Sequence, residues 1–451
     1  MVFTALKPGS KPILLPLYNA AMPSPSPLAA LLAACHSGSQ SPEARAQTSL
    51  AQANSNAGRN TYIALDPDWT LAEARRQTAR AASGESELPL FGIPIALKDC
   101  FDLAGFPTSC GSRYYAQHLP SAAADSWVAA RLRQAGAVIT GKTHLHQLAF
   151  GITGENRDYG DCLQPADPAL LTGGSSSGSA AAVQEGSALA AIGTDTGGSV
   201  RAPAALCGLA GYRASLGLGD WTGAYHLAQA FDTIGWLFRD LRDAPRLAEA
   251  LFDLPPDRPA PAAPSIGVLT GPLVEPCDAA VLRSMEFWQE QIRRASARLE
   301  PVQPDFWSEA WDIYAPIQAA EAARLHAGHF QEFEPVIASR LAWGASLTED
   351  EIRQSRLRRH AFCEQNDALF HRFDFLLAPV TPISRLVASA DHTETRPRIL
   401  RLTTPASVAG LPAIVLPSAD CGLQLLAAPN DDRRLLRFAA RLGEQLTARN
   451  A

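Results

Sequence analysis

The sequence has 451 residues, 47% of them hydrophobic and 19% charged, with a formal net charge of −6. This is the composition of a globular chain with ample material for a large core. The absence of any long basic block argues against a nucleic-acid partner, and no apolar run approaches the roughly 20 residues needed to span a bilayer. The densest basic run, Arg353, Arg356, Arg358 and Arg359, reads as a solvated helix face.

Residues 1–27 carry Lys7, Lys11 and a short apolar run, Ile13–Leu15, cut off by Pro16. That run is too short for a signal peptide, so the segment reads as an irregular extension, with Met22 an alternative start. Helical patterns follow at Leu28–Ala34, Pro42–Ala53 and Leu71–Ala82, the last with Asp66 or Asp68 as its cap. Thr61–Leu65 has strand character, and Ile93–Lys98 is apolar until its last residue, as in a buried strand. An amphipathic helix at Ser126–Ala135 ends at Gly136 and leads into a strand at Ala137–Thr140. Ala180–Glu185 then reads as helix and Ala188–Gly193 as strand. The alternation predicts an α/β fold with largely parallel pairing. Pro255–Pro264 reads as a linker, and residues 275–372 as almost wholly helical. Strand character returns at Phe375–Val380 and Ala413–Leu416, and Arg433–Ala448 is an amphipathic helix. Late strands after a helical insert predict one sheet completed by both ends of the chain.

Eight cysteines are scattered without a CxxC pair, which reads as reduced thiols of a cytoplasmic protein. His144 and His146 share one face of a strand, but no third ligand is near in sequence, so no metal is expected.

Three local features carry chemistry. Residues 172–182, TGGSSSGSAAA, form a Gly/Ser loop running into an Ala-rich helix, which presents unpaired backbone N–H groups. Residues 193–201, GTDTGGSVR, place two glycines before a serine, permitting the tight turn that an oxyanion hole needs. Lys98 ends an otherwise apolar strand, where partial desolvation favours its neutral, basic form. Gly174–Gly178 also fits a nucleophile elbow centred on Ser176, but Pro165, Asp167 and Pro168 leave little room for the strand that must precede it. The glycines are not followed by Gly-Lys-Ser/Thr, so a phosphate-binding loop is excluded.

Together these features resemble the amidase signature family. The matching stretches are GIPIALKDCFDLAG (92–105), GAVITGKT (136–143), GGSSSGSAAAV (173–183) and GTDTGGSVRAPAALCGLAGYR (193–213). Weaker matches are FDTIGW (231–236), FDFLLAPVTP (373–382) and TPASVAGLPAIVLP (404–417). The resemblance implies a single α/β/α domain over 28–451, with a large mixed, mostly parallel sheet flanked by helices. Its catalytic core would span about 60–250, a helical substrate-shaping insert about 275–372, and a sheet-completing part 373–451. It implies Lys98 as general base, Ser175 as bridging serine after a cis Gly174–Ser175 peptide, and Ser199 as nucleophile. It further implies the N–H groups of Thr196, Gly197, Gly198 and Ser199 as oxyanion donors. Ala149, Phe150, Gly151 and Gly174 would line the substrate. Charge and proximity suggest that Asp195 and Arg201 pair to brace the loop, with Ser176 and Thr194 as hydrogen-bond partners behind it. The chain departs from the family pattern at Thr172, at Cys100, and at His146 and Gln147, where acidic residues are usual; these put substrate preference in question rather than catalysis.

The implied activity is hydrolysis of carbon–nitrogen bonds in small apolar or aryl amides, with esters and carbamates (urethanes) also accepted, through an acyl-enzyme and without a cofactor. Phe306, Trp307, Trp311, Tyr314, Phe330, Phe333 and Trp343 in the insert offer aromatic surface for a pocket wall, although for any single one a core position is the better reading. The protein would be a monomer or homodimer. Two alternatives share the motifs: the glutaminase component of a tRNA-dependent amidotransferase complex, and a non-catalytic binding module, against which stands the retention of all three residues Lys98, Ser175 and Ser199.

Overall fold

The computed structural model describes residues 24–84, 87–256 and 263–450. Most of the expected extension 1–27 and of the expected linker Pro255–Pro264 lies outside them. The first helices start as their sequences dictate. Pro27–His36, Pro42–Ser55 and Pro67–Ala82 each begin with proline at the first turn, behind Ser26, Ser41 and Asp66, whose side chains accept from the backbone N–H of Ala29, Ala44 and Trp69. Asp66, not Asp68, is therefore the cap.

Among the described residues, eleven strands form one sheet. In chain order they are β1 Tyr62–Ala64, β2 Pro94–Lys98, β3 Val138–Thr143, β4 Ala190–Asp195, β5 Ala210–Arg213 and β6 Thr233–Phe238. There follow β7 Ser265–Leu269, β8 Arg298–Val302, β9 Phe375–Pro379, β10 Ala413–Leu416 and β11 Leu423–Leu426. Their spatial order is β1-β3-β2-β4-β6-β5-β10-β11-β9-β7-β8, so late strands do complete a sheet begun by early ones.

The sheet is mixed, as expected. Its parallel pairing is confined to two runs, β3-β2-β4 and β9-β7-β8. All pairings between and beyond these runs are antiparallel, so the expectation of a mostly parallel sheet holds only at those runs. The difference comes from β5, β6 and β11, short apolar strands that the alternating pattern did not single out. β5 and β6 follow one another in the chain and pair directly, as do β10 and β11, without a crossover helix, which is how antiparallel pairs are made.

Residues 275–372 supply four long helices, Ala279–Arg294, Ala310–Leu325, Pro335–Ser346 and Glu349–Arg372. They also contain β8, a strand in a segment read as almost wholly helical. β8 (RLEPV) is an edge strand with an exposed, charged pattern, and its Pro301 is tolerated there because an edge needs fewer ladder donors. No helix among the described residues is long and apolar enough to cross a membrane.

The relation that matters for function is between β2 and β4. They run parallel with Leu97 opposite Ile192, so Lys98 and Thr194 meet at their carboxyl ends. Ligands in parallel α/β sheets gather at that edge.

Candidate active site

Lys98 is fully buried. Its Nζ lies 2.8 Å from Ser175 Oγ and 2.7 Å from Thr194 Oγ1. Among the described residues it forms no ion pair. Burial pushes its pKa down from the usual lysine value, opposed only in part by Cys100, Asp232 and Asp195. A second buried lysine, Lys142 on β3, differs in one respect. Its Nζ pairs with Asp99 at 2.6 Å and donates to the Pro107 carbonyl and Thr108 Oγ1.

The Gly174–Ser175 peptide is cis, as the resemblance implies. Ser176 starts the turn into helix Ser177–Glu185. Its hydroxyl donates to the Thr194 carbonyl at 3.2 Å and accepts from the Thr194 N–H at 3.3 Å. Its own N–H donates to the Ser199 carbonyl at 3.1 Å. Ser176 therefore staples the two serine loops together, and no strand precedes it as an elbow requires.

Ser199 sits in the turn that leaves β4. Among the described residues its Oγ has no protein partner, and the side chain lines a narrow cavity with Ala149, Phe150, Gly151, Thr196 and Gly197. The N–H groups of Gly197 and Ser199 have no acceptor among the described residues. The Gly198 N–H is different: it donates to Asp195 Oδ1 at 2.8 Å. The expectation that Gly198 offers an oxyanion donor is corrected accordingly. Its role is conformational, since its φ of 119° is open to glycine and an added Cβ would lie 2.8 Å from Thr403.

Asp195 organises this turn. It accepts from the backbone N–H of Gly198, Val200 and Arg201, and from the Arg201 guanidinium at 3.0 and 2.9 Å. The expected Asp195–Arg201 pair is thus present and bidentate. Arg213 adds a second guanidinium at 2.9 Å, a partner that the sequence reading missed although it closes the quoted stretch 193–213. Burial pushes the Asp195 carboxyl up, but Arg201 and then Arg213 outweigh it and hold it well below the usual carboxylate range. Thr196, one residue on, donates to Asp232 at 2.6 Å.

Gly174, expected to line the substrate, does not border this cavity. Its N–H donates to the Ile152 carbonyl at 2.8 Å, and an added Cβ there would lie 2.9 Å from the Gly154 nitrogen. His144 is a satisfied core histidine, bonded to Ser177 Oγ and the Gly160 carbonyl at 2.8 Å each. The His146 ring lies against Gly151, and Gln147 ties the loop to the helical segment by accepting from the Glu334 N–H at 2.8 Å.

The far wall of the cavity comes from Tyr314, Gln318, Arg396 and Leu400. Gln318 and Arg396 were not found from sequence because no motif surrounds them. A wider cavity of about 400 Å³ adjoins this one, sharing Phe150, Gln318 and Arg396 and adding Trp311, Arg340 and Trp343. A cavity of about 460 Å³ between β7, β8 and helix Ala279–Arg294 shares no lining residue with either.

The family model Amidase matches residues 46–436. Among curated proteins, the chain is 30% identical over 434 residues to the A component of glutamyl-tRNA(Gln) amidotransferase from Prochlorococcus marinus (strain MIT 9313), covering 84% of this chain and 89% of that one. It is also 30% identical over 415 residues to AtzE, a component of 1-carboxybiuret hydrolase from Pseudomonas sp. (strain ADP), with the same coverage of 84% and 89%. Among solved structures, the crystal structure of an amidase superposes with a TM-score of 0.85 at 31% identity, covering 93% of this chain and 99% of that one. Peptide amidase from Stenotrophomonas maltophilia superposes with a TM-score of 0.79 at 26% identity, covering 94% and 97%. With its motifs in order along one flanked mixed sheet, this chain belongs to the amidase signature family.

Proposed function

We propose that the protein hydrolyses carbon–nitrogen bonds of small amides through an acyl-enzyme on Ser199. The observation that carries this reading is a buried lysine with hydroxyl partners and no carboxylate, Lys98, one hydrogen bond from Ser175. Neutral Lys98 takes the Ser175 proton while Ser175 takes that of Ser199, and Ser199 Oγ bonds to the substrate carbonyl carbon. The relay closes as Ser199 Oγ comes within hydrogen-bond reach of Ser175 Oγ on substrate binding. The developing oxyanion would face the N–H groups of Gly197 and Ser199, with Thr196 beside them. Collapse breaks the C–N bond, and Lys98 returns its proton through Ser175 to the departing amine. Water repeats the cycle and releases the acid. No metal or cofactor takes part in these steps.

The substrate body we propose is apolar or aryl. Phe150, Trp311, Tyr314 and Trp343 line the two connected cavities and support this. Of the other aromatics in the insert, Trp307 and Phe333 are buried core, and Phe306 and Phe330 pack against it. Esters and carbamates present the same carbonyl to Ser199 and fit the same reading. A cytoplasmic setting is part of the proposal, supported by eight cysteines that form no disulfide.

A second reading is favoured by the amidotransferase relatives: action as the glutaminase component of such a complex, releasing ammonia from glutamine. The test is kcat/KM for an aryl amide, an aryl ester, an aryl carbamate and glutamine on the purified chain. Turnover of the aryl amide supports the first reading. Turnover of glutamine alone, with a co-purifying partner protein, replaces it with the second.

A further inference from the structure

The two cavities meet at Phe150, Gln318 and Arg396, and among the described residues neither the Gln318 nor the Arg396 side chain has a hydrogen-bond partner. Gln318 is 2% exposed and its Nε2 has no hydrogen-bond partner. The Arg396 guanidinium lies 5.4 Å from the Trp311 ring centroid and 6.0 Å from that of Phe150. Arg340 lies 5.7 Å from the Phe150 ring and donates to the Phe150 carbonyl at 2.7 Å. Among the described residues neither arginine forms an ion pair. Glu334 and Glu155 act on Arg340 only at longer range, and Asp312, which also lines the wider cavity, is exposed.

An arginine cradled by aromatic rings is held in place while its N–H edge stays free for a planar, two-oxygen acceptor. Two guanidiniums without a counter-ion repel each other, and an anion between them removes that repulsion. Burial, and then Arg340, push the Arg396 pKa down to about 9, which leaves it charged at neutral pH.

We infer that Arg396 and Gln318, flanked by Arg340, bind a carboxylate carried by the amide substrate. The inference rests on the proposed hydrolysis at Ser199 and narrows its substrate class. The aryl or apolar body fills the aromatic walls, and the carboxylate supplies the acceptors that Gln318 and Arg396 lack. The sequence motifs contain no residue that selects charge, because these three come from helices Ala310–Leu325, Pro335–Ser346 and Thr395–Val408.

The test compares kcat/KM for nitroanilides of succinate and glutarate with their uncharged acyl isosteres, and for the butyryl amide of 4-aminobenzoate with plain butyryl anilide. At least one carboxylate-bearing substrate should be preferred by about tenfold or more, the scale of one charge-assisted hydrogen bond. Arg396→Gln and Gln318→Leu should collapse that ratio through KM, and Arg396→Lys should restore part of it. Thermal unfolding and fluorophosphonate labelling of each variant separate this from misfolding. Hydrolysis of the amides without carboxylate preference, or a preference that survives Arg396→Gln, overturns the inference and leaves the hydrolase reading standing. Failure of every amide together with failure of Ser199 to label overturns the hydrolase reading itself, and the inference with it.

Discussion

Lys98 and Lys142 stand on neighbouring parallel strands, both fully buried, and among the described residues only Lys142 meets a carboxylate. Asp99 forms an ion pair with Lys142, whereas among the described residues Lys98 has only the hydroxyls of Ser175 and Thr194. A buried ammonium without a counter-ion is costly, so the lysine yields its proton instead. Two identical side chains a strand apart are thereby assigned different work, one structural and one chemical.

Substitution should separate these roles. Lys142→Met strands the Asp99 carboxylate in the core and should destabilise the fold by about 3–5 kcal/mol. Lys98→Met strands no charge and should cost less stability while removing amide hydrolysis. Denaturant unfolding and kcat/KM on both variants check this. Equal stability losses, or activity retained in Lys98→Met, would refute the assignment.

The same burial fixes the sign of the pH dependence. Lys98 must be neutral to accept a proton, and its folded pKa lies below the ordinary lysine value. Activity should therefore rise with pH through that lowered value and fall on the acid side. Between it and the unfolded value near ~10.4, the unfolded chain binds more protons, so the contribution of Lys98 to stability also rises with pH. A kcat/KM profile from acid to alkaline pH tests it, and an optimum on the acid side would be incompatible with the relay.

Asp195 offers a third test. It balances two buried guanidiniums and ties down three backbone N–H groups of the Ser199 turn. Asp195→Asn keeps the shape and removes the charge, so stability should fall by about 3–5 kcal/mol and activity with it. Its carboxyl is held low in the folded state, so its stabilisation is complete above the unfolded carboxylate value of about 3.9 and is lost only as pH falls towards the folded one. Thermal unfolding at neutral pH and in acid measures both. An unchanged melting temperature at neutral pH would show that the turn does not depend on this charge.

How much of this could be read from the sequence depended on how local each signal was. Lys98, Ser175, Ser199 and the Asp195–Arg201 pair lie in motif stretches whose turns leave few alternatives; Lys98 reaches Ser175 and Asp195 reaches Arg201, while Ser199 Oγ has no side-chain partner among the described residues. Phe150 and Gly151 follow β3 closely enough to be carried with it. Gln318, Arg340 and Arg396 reach the site from helices whose outer residues look like any solvated face, so only packing reveals them. β5, β6 and β11 are short and buried, without the alternating pattern that marks a half-buried strand, which is why the antiparallel middle of the sheet was not foreseen. The donor role for Gly198 came with the family resemblance, which does not show that a side-chain acceptor, Asp195, takes its N–H.

The most direct test of the central claim is to treat the purified chain with a fluorophosphonate probe and locate the adduct by mass spectrometry. The account predicts a single adduct on Ser199, absent from Ser199→Ala, strongly slowed in Lys98→Met and retained in Ser176→Ala. An adduct on Ser176, or no adduct on a folded chain, would contradict it.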